Sequence, residues 1–205
     1  MFEYYWIDLK EAARKANNAR DLDLSYTNVK GQNNAIRGHS DRSKFIIKEI
    51  INVYPDTLVW VHDFTYSFNE PMTENYFWHP AYDAYPVVGV TWVQSNAFNV
   101  WRTQLMNTWL EQNGEAYINR FRLPTEAEWE YASRGGLDQA PFPWGGPYVR
   151  NRQGCFLGNF KPLHGNYVDD GGFHTVPVDS YTPNDFGLYQ MAGNVAEWTS
   201  TAYDE

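Results

Sequence analysis

The stretch Phe186-Gly187-Leu188-Tyr189-Gln190-Met191-Ala192-Gly193-Asn194-Val195-Ala196-Glu197-Trp198-Thr199 decides how this chain reads. It places a glycine turn, one carboxylate, two side-chain amides and several large apolar residues side by side. Gly187 and Gly193 permit backbone angles that a Cβ penalises, so carbonyl oxygens can be turned toward a common point. Gln190, Asn194 and Glu197 add side-chain oxygens. A short irregular segment offering oxygen donors and little charge suits a hard cation such as calcium. The same residues also make a buried polar turn that ties two loops together without metal, and no EF-hand spacing decides between the two readings.

Working back from that stretch, Arg122-Leu123-Pro124-Thr125-Glu126-Ala127-Glu128-Trp129-Glu130-Tyr131-Ala132 is the clearest local signature. Thr125 with Glu128 three residues later predicts a capping box, in which each side chain satisfies an otherwise unpaired amide. The acidic first turn suits the helix dipole, and Gly135-Gly136 ends the helix. Two neighbouring carboxylates also fit acid/base chemistry, but at a helix start capping is the better reading. Residues 141–182 read as loop, with Phe142-Pro143-Trp144-Gly145, Gly158-Asn159-Phe160 and Val168-Asp169-Asp170-Gly171-Gly172. Asn159 and Asp170 form a second candidate oxygen set.

The first half is less regular. Residues 8–18 predict a short Ala-rich helix with Asp8 as N-cap. Residues 21–42 are polar and turn-rich, an extended loop suited to touching a partner. Residues 45–54 read as strand or helix, with the β-branched content favouring strand, and residues 58–64 read as strand. An aromatic-dense loop follows over residues 66–85, its rings serving either as interface anchors or as core filling. His62 and His79 have no second His or Cys at metal spacing, so packing or hydrogen bonding to aromatic neighbours explains them better than ligation. Residues 95–112 carry Phe98, Trp101, Leu105, Thr108 and Trp109 at helical steps, an amphipathic stripe expected to face the core, with Gly114 at the C-cap.

Composition narrows the class. The 205 residues suffice for one large domain or two small ones, and aromatics make up 18% of them. Many Trp, Tyr, Gly, Asn and Pro suit an irregular fold pinned by rings and turns. The net charge of −9 leaves no basic stripe for a nucleic-acid partner. Cys155 is the single cysteine, so neither an internal disulfide nor a Cys-x-x-Cys motif exists. The first residues form no signal peptide, and no apolar run has bilayer-spanning length.

Five motifs in order, Pro86-Val-Val-Gly-Val-Thr-Trp92, the Arg122 to Ala132 signature, Phe142-Pro-Trp-Gly145, Val176-Pro-Val-Asp179 and Gly187 to Trp198, resemble the formylglycine-generating-enzyme (sulfatase-modifying factor) domain. The resemblance implies an α+β, irregular fold related to C-type lectins, low in regular secondary structure, over a single partial domain of residues 1–205. It implies calcium at two sites. One takes the side chains of Asn159 and Asp170 with the carbonyls of Phe160 and Gly172. The other takes the side chains of Gln190 and Glu197 with the carbonyls of Gly193 and Val195. Gln190 stands where the family usually has Asp or Asn, and Ala196 where it has Trp.

Catalysis in that family needs two copper-binding cysteines beyond the Glu197-Trp198 motif, and Cys155 matches neither. By this resemblance the chain is truncated at both ends, lacking the N-terminal strand and the core-completing Arg-Gly-Gly-Ser strand, and is expected not to be an enzyme. Residues 55–83 resemble the insertion of the GldK/PorK gliding-motility and type IX secretion lipoproteins, with residues 21–85 as the group-specific region. That resemblance implies a non-catalytic component of a periplasmic ring, self-associated and joined to a GldN/PorN-like partner, at the periplasmic face of the outer membrane through a lipid anchor. Its rivals are a copper-dependent formylglycine-generating oxidase, a related iron-dependent sulfoxide synthase, and a calcium-using sugar-binding module.

Overall fold

The computed structural model describes residues 1–14, 45–67, 69–160, 166 and 168–202, and the expected partner loop at 21–42 lies outside them. The chain divides into two compact units, Met1–Val53 and Tyr54–Glu205. Few helices and one two-stranded sheet among the described residues fit a mixed, irregular fold.

In the first unit, β1 (Phe2–Ile7) pairs antiparallel with β2 (Ile46–Ile51), running from Phe2 opposite Ile51 to Ile7 opposite Ile46. Strand won at 46–51, as its β-branched content favours. Across the pair, Tyr4 and Trp6 find a shared acceptor on β2. Tyr4 Oη and Trp6 Nε1 both donate to Glu49 Oε2, at 2.6 and 3.1 Å. Helix α1 (Leu9–Ala12) follows, with Asp8 Oδ1 accepting the Glu11 amide at 2.9 Å as its cap.

The second unit opens differently from expectation. Residues 58–64 contain a helical turn, α2 (Val59–Asp63), rather than a strand. The Asp56 carboxylate accepts the Leu58 amide at 2.9 Å and starts the turn, and Trp60 then buries against Tyr76 with ring centroids 5.1 Å apart. Packing thus overrides the β-propensity of Val59 and Val61. The expected aromatic loop is partly ordered into α3 (Pro71–Asn75) and a 3-10 turn (Pro80–Tyr82). Its rings divide: Tyr76 is buried, whereas Tyr66 and Trp78 are 97% and 62% exposed.

Helix α4 (Trp92–Gln112) starts at Thr91, whose side chain makes a capping box with Gln94. Its predicted core stripe is corrected by the structure. Phe98 and Leu105 are 52% and 55% exposed, and the buried face instead carries Ala97, Val100 and Leu110. The reason is polar. Thr103 Oγ1 and Asn107 Oδ1 accept the amides of Phe121 and Ile118 at 2.9 and 3.0 Å, so the face able to satisfy an incoming backbone is the one that turns inward. Helix α5 (Glu126–Arg134) completes the regular structure, with Gly135 left-handed at its C-cap. No helix among the described residues is long and apolar enough to cross a membrane.

Candidate functional site

Helix α5 is the post to which the C-terminal stretch is fastened. Its capping box forms as the sequence predicts: Glu128 N–H donates to Thr125 Oγ1 at 3.2 Å, and Thr125 N–H to Glu128 Oε2 at 2.8 Å. Arg122 grips the same carboxylate with two bonds of 2.7 and 2.6 Å. The guanidinium, aided by the Thr125 amide, holds the Glu128 carboxyl down at about 2. A carboxylate so fully engaged caps a helix and is not poised to move protons.

Asn184, which is buried, joins α5 to the glycine-rich stretch. Its Nδ2 donates to the carbonyls of Ala132 and Ser133 at 2.7 and 3.1 Å, while its Oδ1 accepts the amides of Phe186 and Leu188 at 3.1 and 3.0 Å. Ser133 Oγ donates to the Met191 carbonyl at 3.1 Å, and Trp129 Nε1 to Glu197 Oε2 at 2.7 Å. Trp198 Nε1 reaches the Val90 carbonyl at 3.0 Å, and Trp92 Nε1 the Thr199 carbonyl at 2.9 Å, which binds the stretch to the start of α4 as well.

The two candidate oxygen sets meet at Asn159. Asn194 N–H donates to the Asn159 carbonyl at 2.9 Å, and Asn194 Oδ1 accepts from the Val176 amide at 3.0 Å and from Asn159 Nδ2 at 3.4 Å. Asn159 Nδ2 also donates to the His174 carbonyl at 2.8 Å. Asp170 is buried and accepts the amides of Phe160 and Gly172 at 2.8 and 3.2 Å, and Tyr181 Oη donates to its carbonyl. A Cβ at Gly172 would sit 3.1 Å from Asn159 Oδ1, so that oxygen lies directly over the loop. Asn159, Phe160, Asp170 and Gly172 are therefore brought together.

Gln190, Gly193, Val195 and Glu197 are less united. Gln190 Nε2 donates to the carbonyls of Ser180 and Pro177 at 2.9 and 3.3 Å, whereas Glu197 turns to Trp129. No hydrogen bond links Gln190 to Glu197 among the described residues.

Each set nevertheless contains oxygen donors of the kind a hard cation takes. Asp170 is a buried carboxylate with no cationic partner among the described residues. Gln190 Oε1 is a buried oxygen without a hydrogen bond, held by a residue in the left-handed region at φ 54°. No group of three or more His, Cys, Asp or Glu is gathered for a metal among the described residues, so any such site is built from amides and carbonyls around one carboxylate.

The aromatic neighbour expected for each of His62 and His79 is found at His79, whose ring meets Tyr82 edge-on at 6.5 Å, whereas His62 faces a carboxylate. His62 Nδ1 lies 3.5 Å from Asp56, and His79 Nδ1 accepts the Ala81 amide. Among the described histidines, His174, which the sequence did not single out, has a side chain only 7% exposed. Its ring packs against Phe64 at 4.0 Å and Trp60 at 5.2 Å, and burial holds its imidazole below the ordinary value, with Glu70 opposing. No motif announces it. Asn184, by contrast, precedes Asp185 and a Phe-Gly pair, a turn context that suits an amide bonded to its own backbone two residues on.

A profile of the sulfatase-modifying factor enzyme 1-like domain matches residues 9–205. The formylglycine-generating enzyme of Thermomonospora curvata is 43% identical over 117 residues, covering 56% of this chain and 32% of that protein. That of Streptomyces coelicolor is 41% identical over 119 residues, covering 57% and 32%. The inactive C-alpha-formylglycine-generating enzyme 2 of Bos taurus is 40% identical over 121 residues, covering 58% and 34%. The chain thus spans about a third of the length of these relatives. Relatives named as enzymes overturn the expectation that the chain is not one, although an inactive relative stands at similar identity. None of these names points to gliding motility, type IX secretion or a ring partner.

Proposed function

The chain belongs to the sulfatase-modifying factor enzyme 1-like domain family, and from that footing we propose that it is part of a formylglycine-generating oxidase, acting on cysteine in a protein substrate. The observation that carries this reading is the 43% identity with the formylglycine-generating enzyme of Thermomonospora curvata. It is supported by the structural use made of these motifs: Thr125 and Glu128 cap α5, Glu197 accepts from its Trp129, and Asn194 ties the glycine-rich stretch to the 159 and 176 segments.

Within this reading, Asn159, Phe160, Asp170 and Gly172 would hold one calcium, and Gln190, Gly193, Val195 and Glu197 a second. Calcium supplies positive charge that neutralises the buried carboxylate and fixes the carbonyls around it. The residues themselves set the framework: Asp170 orders its loop through two backbone amides, and Asn194 clamps the 159 and 176 segments together. Copper is the redox metal of this proposal, and Cys155, exposed in a turn, is not assigned to it. The test is co-expression of the full-length protein with a cysteine-bearing reporter peptide. Aldehyde on the reporter, absent without the protein, supports the reading, and an unmodified reporter beside abundant folded protein refutes it.

A further inference from the structure

Asn159 is buried, and its side-chain amide is fixed in one sense. Both Nδ2 hydrogens have acceptors, the His174 carbonyl at 2.8 Å and Asn194 Oδ1 at 3.4 Å. Asn159 Oδ1 meets no donor among the described residues and faces Gly172, a member of the same oxygen set. Half a turn of this amide would put Nδ2 in the place of Oδ1 and set a donor against a cation, so the orientation decides whether Asn159 can ligate.

The residue that enforces the orientation is Asn194, which belongs to neither oxygen set. Its own amide cannot turn over, because the Val176 backbone holds both ends: Oδ1 accepts the Val176 N–H at 3.0 Å, and Nδ2 donates to the Val176 carbonyl at 3.2 Å. An acceptor is thereby kept in front of Asn159 Nδ2. Asn194 grips Asn159 at a second point, donating its backbone N–H to the Asn159 carbonyl at 2.9 Å. The peptide unit that begins with that carbonyl ends in the Phe160 N–H, which donates to Asp170 Oδ2 at 2.8 Å. Asn194 does this from the left-handed region, at φ 64°, which asparagine tolerates better than most residues. We propose that Asn194 is a positioning residue for calcium at the Asn159 and Asp170 set: it holds the Asn159 oxygen in the ligating orientation and contributes no ligand of its own. Partners that orient a ligand in this way set metal affinity as well as the ligands do. The inference rests on the calcium reading above.

Calcium titration of the full chain by isothermal calorimetry is the test. Asn194→Gly keeps the backbone N–H and tolerates the left-handed φ but removes the side-chain acceptor, and it should weaken calcium binding about tenfold, the lower end of what losing an orienting partner costs. Repeating the change beside Asn159→Asp isolates the cause, since a carboxylate offers an oxygen whichever way it turns. In that background Asn194→Gly should cost little affinity. Equal losses in the two backgrounds would make Asn194 merely structural, and no loss with Asn159 in place would overturn the proposal as well. A wild-type chain that binds no calcium would remove the calcium reading and this inference with it, whereas a wild type that binds beside an equally tight Asn194→Gly sinks the inference alone. Hydrogen exchange followed by NMR in the calcium-free wild type does not depend on how the variants fold. The Asn159 Nδ2 protons should be protected, and exchange as fast as that of an exposed side-chain amide would overturn the proposal.

Discussion

Gly193 lies so close to Asn159 that a Cβ on it would come within 2.1 Å of the Asn159 carbonyl oxygen, the same oxygen that accepts the Asn194 amide. Gly193 also has φ at 93°, where a side chain is strained. Gly193→Ala should therefore destabilise the fold by about 2–4 kcal/mol, through strain and overpacking together. Gly154→Ala is the control: φ is 86° but nothing lies within 4 Å of the added Cβ, so about 1 kcal/mol is expected. Urea unfolding of the two variants measures the difference, and equal losses would show that the approach to Asn159 is not what requires glycine.

Asn184 holds four backbone groups of two segments at once. Asn184→Ala should cost about 2–4 kcal/mol, since it strands buried amides and carbonyls rather than merely removing one bond. Asn184→Asp should do no better, because a carboxylate cannot donate to Ala132 and Ser133. Denaturation midpoints check both, and a loss well under 1 kcal/mol would place the attachment of the stretch elsewhere.

The Arg122–Glu128 pair gives a pH dependence with a definite sign. Glu128 is held at about 2, below the ordinary carboxyl of about 4.3 in an unfolded chain. Its contribution is therefore complete above that unfolded value and is lost as pH falls through the folded one. Stability should decline between about pH 4.5 and pH 2, and Glu128→Gln should flatten the part of the decline that belongs to this pair. Because both side chains are exposed, added salt should shrink the effect. An unchanged slope in the variant would deny the pair a role.

For the oxygen sets, chelation should lower the melting temperature. A cation present at a hundred times its Kd contributes about 2.7 kcal/mol, equivalent to roughly 5–10 °C for a chain of this size. Asp170→Asn, which keeps the side-chain volume but removes the charge, should abolish most of that shift. Identical melting curves with and without chelator would leave Asn159 and Asp170 as a purely hydrogen-bonded turn.

What the sequence revealed depended on how local the cause was. The cap at Thr125, the glycine after α5 and the strand at 46–51 follow from neighbours in the chain, and each could be read directly. Asn159 and Asp170 were offered as an oxygen set by residue type and joined to Phe160 and Gly172 only through resemblance, and the structure gathers them through amides that no spacing rule would have named. The inward face of α4 was misread because apolar counting favours Phe98 and Trp109, while the decision belongs to Thr103 and Asn107, which satisfy a segment more than ten residues on. The turn at Val59–Asp63 and the burial of His174 are likewise tertiary effects, made by rings far apart in sequence.

Chemistry on cysteine is measured most directly as turnover by purified full-length protein. The protein, loaded with copper, is incubated aerobically with a cysteine-containing peptide, and the product is read by mass spectrometry and by capture on a hydrazide. Time-dependent conversion of the thiol side chain to an aldehyde is expected. A peptide recovered unchanged from folded, copper-loaded protein would contradict it.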